Sequence, residues 1–144
     1  MAFRGRQVRW RALSPGVNDP HTAMLCLDWL RAGLEAFAHS APSQPRAPGD
    51  RVRYRRITFE TMLDRSFDRM RRHIAGDRTV ALAALAVLAD IAAVAVRAAM
   101  AEACVRQMKQ LATSAMELRV ESIAKREIDD ALTAALERVA GPKG

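Results

Sequence analysis

The chain has 144 residues, half of them apolar but only 5% aromatic, and a formal net charge of +7. That length fits one domain able to bury a real core, and a core of Ala, Leu, Val, Ile and Met favours packed helices over sheets. The two cysteines, Cys26 and Cys104, have no CxxC or other metal spacing and lie in apolar helical patterns, which reads as buried, reduced thiols.

The charge is uneven. Residues 1–56 hold ten Lys/Arg against four Asp/Glu, and residues 57–144 hold thirteen against twelve. A basic first third calls for an anionic partner, a nucleic acid or a membrane surface, unless it is simply a solvated arginine-rich face.

Residues 1–19 read as a basic arm and a loop. Arg4, Arg6, Arg9 and Arg11 are interleaved with Phe3, Val8 and Trp10, as a short helix or an extended arm. No apolar run follows them, so no signal peptide is visible. In the "SPGVNDP" stretch, Ser14, Pro15 and Gly16 are turn chemistry, because Pro fixes φ and Gly supplies positive φ. Asn18 or Asp19 then caps a helix whose first turn holds Pro20, where a missing N–H costs nothing. That helix is predicted over 20–39, with Ala23, Leu27, Leu30 and Leu34 at helical spacing and Cys26 and Phe37 beside them.

Residues 40–57 read as a linker, with Pro42, Pro45, Pro48 and Gly49 breaking all regularity. Near 51–57 the stretch "RVRYRRI" alternates, Val52 and Tyr54 against Arg51, Arg53 and Arg55, with Arg56 extending the basic run. This is a short strand pattern, and a lone strand needs a partner; the N-terminal arm could supply one, and an extended loop fits equally well.

A second helix is predicted over 58–75. Thr58 is its N-cap, and Phe59, Met62, Leu63, Phe67, Met70 and Ile74 form its apolar stripe. Asp68 can pair with Arg71 or Arg72 on the outer face. Gly76 and Asp77 end this helix and cap the next.

Residues 77–140 contain neither Gly nor Pro. One helix of that length would run ~95 Å at ~1.5 Å per residue, too long for a compact domain, so a break is required. The Ser-x-x-Glu box at Ser114–Glu117 marks it, giving a helix over 77–113, itself open to a further break, and another over 114–140. The last helix carries Leu118, Ile128, Leu132, Leu136 and Val139, and Gly141-Pro142 stops it. The apolar run Val80–Val96 is short, alanine-rich and interrupted by Asp90, so it reads as a core helix and not a membrane span. Asp90 itself is expected on a narrow exposed stripe with Arg97, the alternative being an arginine from another helix. The fold class is therefore all-α: a bundle of about four main helices with one long irregular linker.

Chemistry is scarce. The histidines are His21, His39 and His73, with no HExxH motif, Walker loop, dinucleotide fingerprint or nucleophile elbow. Asp19 and Asp28 lie too far apart along the helix to share a site locally. We expect no metal, no cofactor and no enzymatic activity. The basic stretches, each with one aromatic (Trp10, Tyr54), suit stacking on single-stranded nucleic acid or a lipid–water interface. No helix-turn-helix, RNP or zinc-finger pattern accompanies them.

The stretch "RALSPGVNDPHTAMLCLDWL" resembles the bacterial family of predicted membrane proteins called domain of unknown function 2254, through Ala12, Leu13, Ser14, Pro15, Gly16, Asn18, Asp19, Pro20, Thr22, Ala23 and Asp28. A looser match follows at Phe59, Phe67, Asp68, Met70 and Arg71, with Ser66 where Ala is usual. His21 also departs from the aromatic or small residue of the pattern. The resemblance spans most of the chain. It implies membrane helices ahead of a soluble helical region in longer relatives, of which only the second is present here. It also implies a cytoplasmic location at the inner face of a bacterial membrane, and no activity.

These readings give a non-enzymatic cytosolic helical domain of a membrane-associated protein, with an assembly or regulatory role; the alternative is a small basic nucleic-acid-binding protein. The candidate ligand-binding or structural residues are Ser14, Pro15, Gly16, Asn18, Asp19, Pro20, Thr22 and Asp28. The candidate contacts to an anionic surface are Arg4, Arg6, Arg9, Arg11, Arg51, Arg53, Arg55 and Arg56. The expected partners are further copies of the chain, an anionic membrane surface, or the membrane-embedded part of a longer relative. A core built from few large side chains motivates the self-association.

Overall fold

The computed structural model describes residues 13–14, 17–39, 57–119 and 121–141. The described part is all-α. It opens with a two-residue antiparallel ladder, β1 (Leu13–Ser14) with β2 (Val17–Asn18), in which Ser14 pairs with Val17 and Leu13 with Asn18. Helices α1 (Pro20–His39), α2 (Phe59–Phe67), α3 (Arg71–Gly76), α4 (Arg78–Ala93), α5 (Ala98–Glu117) and α6 (Ser122–Ala140) follow.

The centre is α4. Nine of its sixteen residues are buried, among them Leu85, Leu88 and Ile91, and it packs against α1, α3, α5 and α6. Its alanines let these neighbours approach closely, and each large apolar side chain buried there contributes about 1.5–3 kcal/mol. The apolar run read as a core helix thus forms the central helix. Among the described residues no helix is long and apolar enough to cross a membrane.

Helix α1 has the predicted bounds. It buries Ala23, Leu27, Leu34 and Ala38, with Leu30 and Phe37 packed against that core. The ring of Phe37 meets that of Phe59 with centroids 6.3 Å apart, which sets the end of α1 beside the start of α2. Residues 51–56, where a strand pattern was read, lie outside the described residues; Ile57 is half-exposed.

The helix predicted over 58–75 is interrupted. Thr58 caps α2 as expected, accepting from the Thr61 N–H at 3.2 Å. The chain then turns at 68–70 before α3, where the Met70 N–H reaches the Phe67 carbonyl at 3.0 Å and His73 reaches Met70 at 2.9 Å. The apolar stripe survives the bend: Phe59, Leu63, Phe67, Met70 and Ile74 are all buried. Asp77 caps α4 by accepting from the Val80 N–H at 3.0 Å.

The long Gly- and Pro-free segment breaks twice, and neither break is at the Ser114–Glu117 box. Both residues lie inside α5. The first break is at 94–97 and the second at 118–121. The φ angles of −91° at Val94 and −121° at Arg97 are open to any L residue, so this reversal needs no glycine and leaves no mark in the sequence. At the second break, Arg119 donates from one guanidinium nitrogen to the carbonyls of Ala75 (2.8 Å) and Ala115 (2.6 Å), closing the ends of α3 and α5 together. Leu118, expected in the core of the last helix, instead ends α5 and is exposed. Of the other residues expected there, Ile128 is buried, while Leu132, Leu136 and Val139 are partly buried.

Candidate functional site

The residues singled out in the sequence fall into two adjoining places. One is the ladder and the start of α1. Leu13–Ser14 pairs antiparallel with Val17–Asn18, and Pro15 and Gly16, read as turn residues, lie outside the described residues. Asp19 caps α1. Its carboxylate accepts from the His21 N–H at 3.1 Å and from the Thr22 hydroxyl, and its carbonyl accepts from Ala23 at 3.1 Å. Pro20 opens the helix. The Thr22 hydroxyl, and after it the Thr22 N–H, hold the Asp19 carboxyl below its ordinary range; the His21 N–H adds to this, and desolvation opposes it. Asp28 is exposed about two and a half turns along and does not join Asp19. The side chains of Ser14 and Asn18, and all of Arg4, Arg6, Arg9, Arg11, Arg51, Arg53, Arg55 and Arg56, lie outside what is described.

The second place is a polar lattice between the α2–α3 bend and α5. Gln107 is 98% buried in the middle of the apolar stripe of α5. Its amide nitrogen donates to Asp64 Oδ1 (2.8 Å) and Asp68 Oδ1 (3.1 Å), and its carbonyl oxygen accepts from Arg71 at 3.1 Å. Arg71 also pairs with Asp68 and donates to Gln110 at 2.6 Å. Arg106 straddles both oxygens of Asp64, at 3.0 and 3.2 Å. Two carboxylates and two guanidinium groups leave the lattice electrically neutral, with each charge answered by another member. The Asp68–Arg71 pair was legible from the spacing. Gln107 was missed, although a glutamine at core spacing between Cys104 and Leu111 was a signal for it.

The two places adjoin because α3 lies against β1. The two sequence segments that carry the family resemblance therefore meet in space. Asp19 is occupied by its own helix start and Arg71 by the lattice.

A third polar joint corrects the expectation for Asp90. Its carboxylate pairs with Arg31 of α1 at 3.3 Å and with Arg138 of α6, whereas Arg97 stands outside α4 as the residue before α5. Asp90 thus ties α1 and α6 to the central helix. Arg78 adds a further pair with Glu127 of α6 at 2.5 Å.

No group of three or more His, Cys, Asp or Glu among the described residues could hold a metal ion. Cys104 is buried, and desolvation pushes its thiol up to about 12. One apolar groove is lined by Ala98, Ala101 and Val105 of α5 and Val139 of α6, with Glu102, Arg106, Lys109 and Gln110 around it and a volume of about 600 Å³.

Neither a curated protein nor a solved structure matches the chain. The family described as predicted membrane protein (DUF2254) matches residues 7–90, more than half of the 144, and the chain belongs to that family.

Proposed function

We propose that the chain is a helical, non-enzymatic domain of a membrane-associated protein, standing on the cytosolic side and acting in assembly or regulation. The observation that carries this reading is how the charged groups are spent. Those brought together by the fold neutralise one another across helix joints, as Asp64, Asp68, Arg71 and Arg106 do around Gln107, and as Asp90 does between Arg31 and Arg138. The family motif residue Asp19 is spent on its own helix start. An arrangement of this kind fixes helices in place, which suits a scaffold. A basic first third on the cytosolic side agrees with the bias of positive charge towards that face of membranes.

Assembly is tested by light scattering of the purified chain over a range of concentrations. The expected result is an oligomer that Val105→Glu, placed in the apolar groove, reduces to monomer while leaving the helical circular dichroism unchanged. A monomer at every concentration that binds nucleic acid with a steep salt dependence would overturn the reading in favour of a nucleic-acid-binding protein.

A further inference from the structure

Helix α1 is apolar on two sides. One stripe faces the core through Ala23, Leu27, Leu34 and Ala38. The other faces outward: Leu25 is 47% exposed and Trp29 80% exposed, with exposed Ala32 and Gly33 in the next turn. Leu25, Trp29 and Ala32 follow at intervals of four and three, so they lie on one line along the helix. The bundle does not need this stripe, since α1 is already seated on α4 by its other face. Among the described residues Trp29 is the largest apolar side chain left exposed.

The charge around α1 says what fits it. Residues 1–12, ahead of the ladder that leads into α1, contain four arginines and no acid. Residues 40–56, which follow α1, contain five arginines and one acid, Asp50. These two segments account for more than the whole net charge of +7. A second copy docking through the same face would bring like charges together. An anionic surface would attract the two basic segments that flank the helix in sequence, and tryptophan settles at the headgroup level of a bilayer. Asp28 is the one acid exposed beside Leu25 and Trp29, and nine arginines outweigh it.

We infer that the outward face of α1, centred on Leu25 and Trp29, docks onto an anionic lipid surface, lying along it without crossing it. This rests on the membrane-associated reading above but not on self-association, so a monomer in light scattering would leave it standing.

The test uses the full chain and vesicles of phosphatidylcholine with or without phosphatidylglycerol. In a Trp10→Phe background the emission of Trp29 should shift to the blue on vesicles containing phosphatidylglycerol and stay unshifted on phosphatidylcholine alone. The Leu25→Ser/Trp29→Ser variant should keep its helical circular dichroism, since both side chains are exposed. It should lose vesicle affinity by at least about tenfold, as expected for withdrawing two apolar groups from an interface. Undiminished binding by that variant, or an unshifted Trp29 on anionic vesicles, would overturn the inference. A wild-type dimer that the double substitution dissolves, with no vesicle binding, would assign the face to a second copy instead.

Discussion

Replacing Gln107 with leucine tests whether the lattice holds the α2–α3 bend against α5. The substitution keeps the volume and removes three hydrogen bonds to charged groups: two donated to Asp64 and Asp68 and one accepted from Arg71. Hydrogen bonds of that kind are worth about 1.5–3 kcal/mol each when buried. The partners are less buried than Gln107, with side chains 36% exposed at Asp64, 54% at Asp68 and 23% at Arg71, so water replaces part of what is lost. Leucine also gains from burial. The net cost should be about 2 kcal/mol, inside the range typical of a disrupted buried polar network. Gln107→Glu should cost more, because it sets a third carboxylate against two. That carboxyl would be raised in the folded state, so the folded chain would bind the extra proton and the variant would regain stability as pH falls towards the unfolded glutamate value of about 4.3. Urea unfolding followed by circular dichroism, at neutral and mildly acidic pH, measures both. A Gln107→Leu variant within about 0.5 kcal/mol of the parent, the ordinary range for surface changes, would refute the lattice as a structural joint.

Asp90→Asn should destabilise by about 0.5–1 kcal/mol, because Arg31 and Arg138 are about half exposed and their pairs are solvent-screened; high salt should shrink the difference from the parent in urea melts. Asp19→Ala should lower the melting temperature at neutral pH. The depressed Asp19 carboxyl stabilises the fold above its ordinary value of 3.8 and loses that effect as pH falls through the lower folded value, so acid melts of parent and variant should converge; parallel curves down to the acid limit would contradict the cap. With Cys104 buried and its thiol raised to about 12, a thiol reagent at mildly alkaline pH should modify at most one cysteine in the native chain and two in urea; two rapid native modifications would place Cys104 at the surface.

What the sequence disclosed follows from how local each feature is. Helix α1 was legible at both ends, since Asp19-Pro20 is a start signal read within four residues and the prolines after His39 forbid continuation. Thr58 and Asp77 were legible for the same reason. The bend at 68–70 was not. It keeps the apolar stripe in phase, and Asp68 and Arg71 meet Gln107 on a helix nearly forty residues later. The reversal at 94–97 uses ordinary backbone angles and no special residue, so the stronger local signal at Ser114–Glu117 misled. Tertiary packing on α4 carried α5 straight through that box. Asp90 shows the same limit. Its oddity was plain, but its partners stand 59 and 48 residues away, and spacing along one helix could offer only Arg97.

The family match ends at Asp90, and the fold does not. Nearly every polar joint that fixes the bundle crosses that line. Asp64 and Asp68 are held by Gln107, and Arg106 adds to Asp64; Ala75 is capped by Arg119; Arg78 pairs with Glu127; Asp90 itself pairs with Arg138. The packing agrees, since α4 lies against α5 and α6 as extensively as against α1. Residues 7–90 alone would leave Leu85 and Leu88 short of cover and strand the carboxylates that α5 and α6 answer. The matched region thus depends for its stability on the two helices after it.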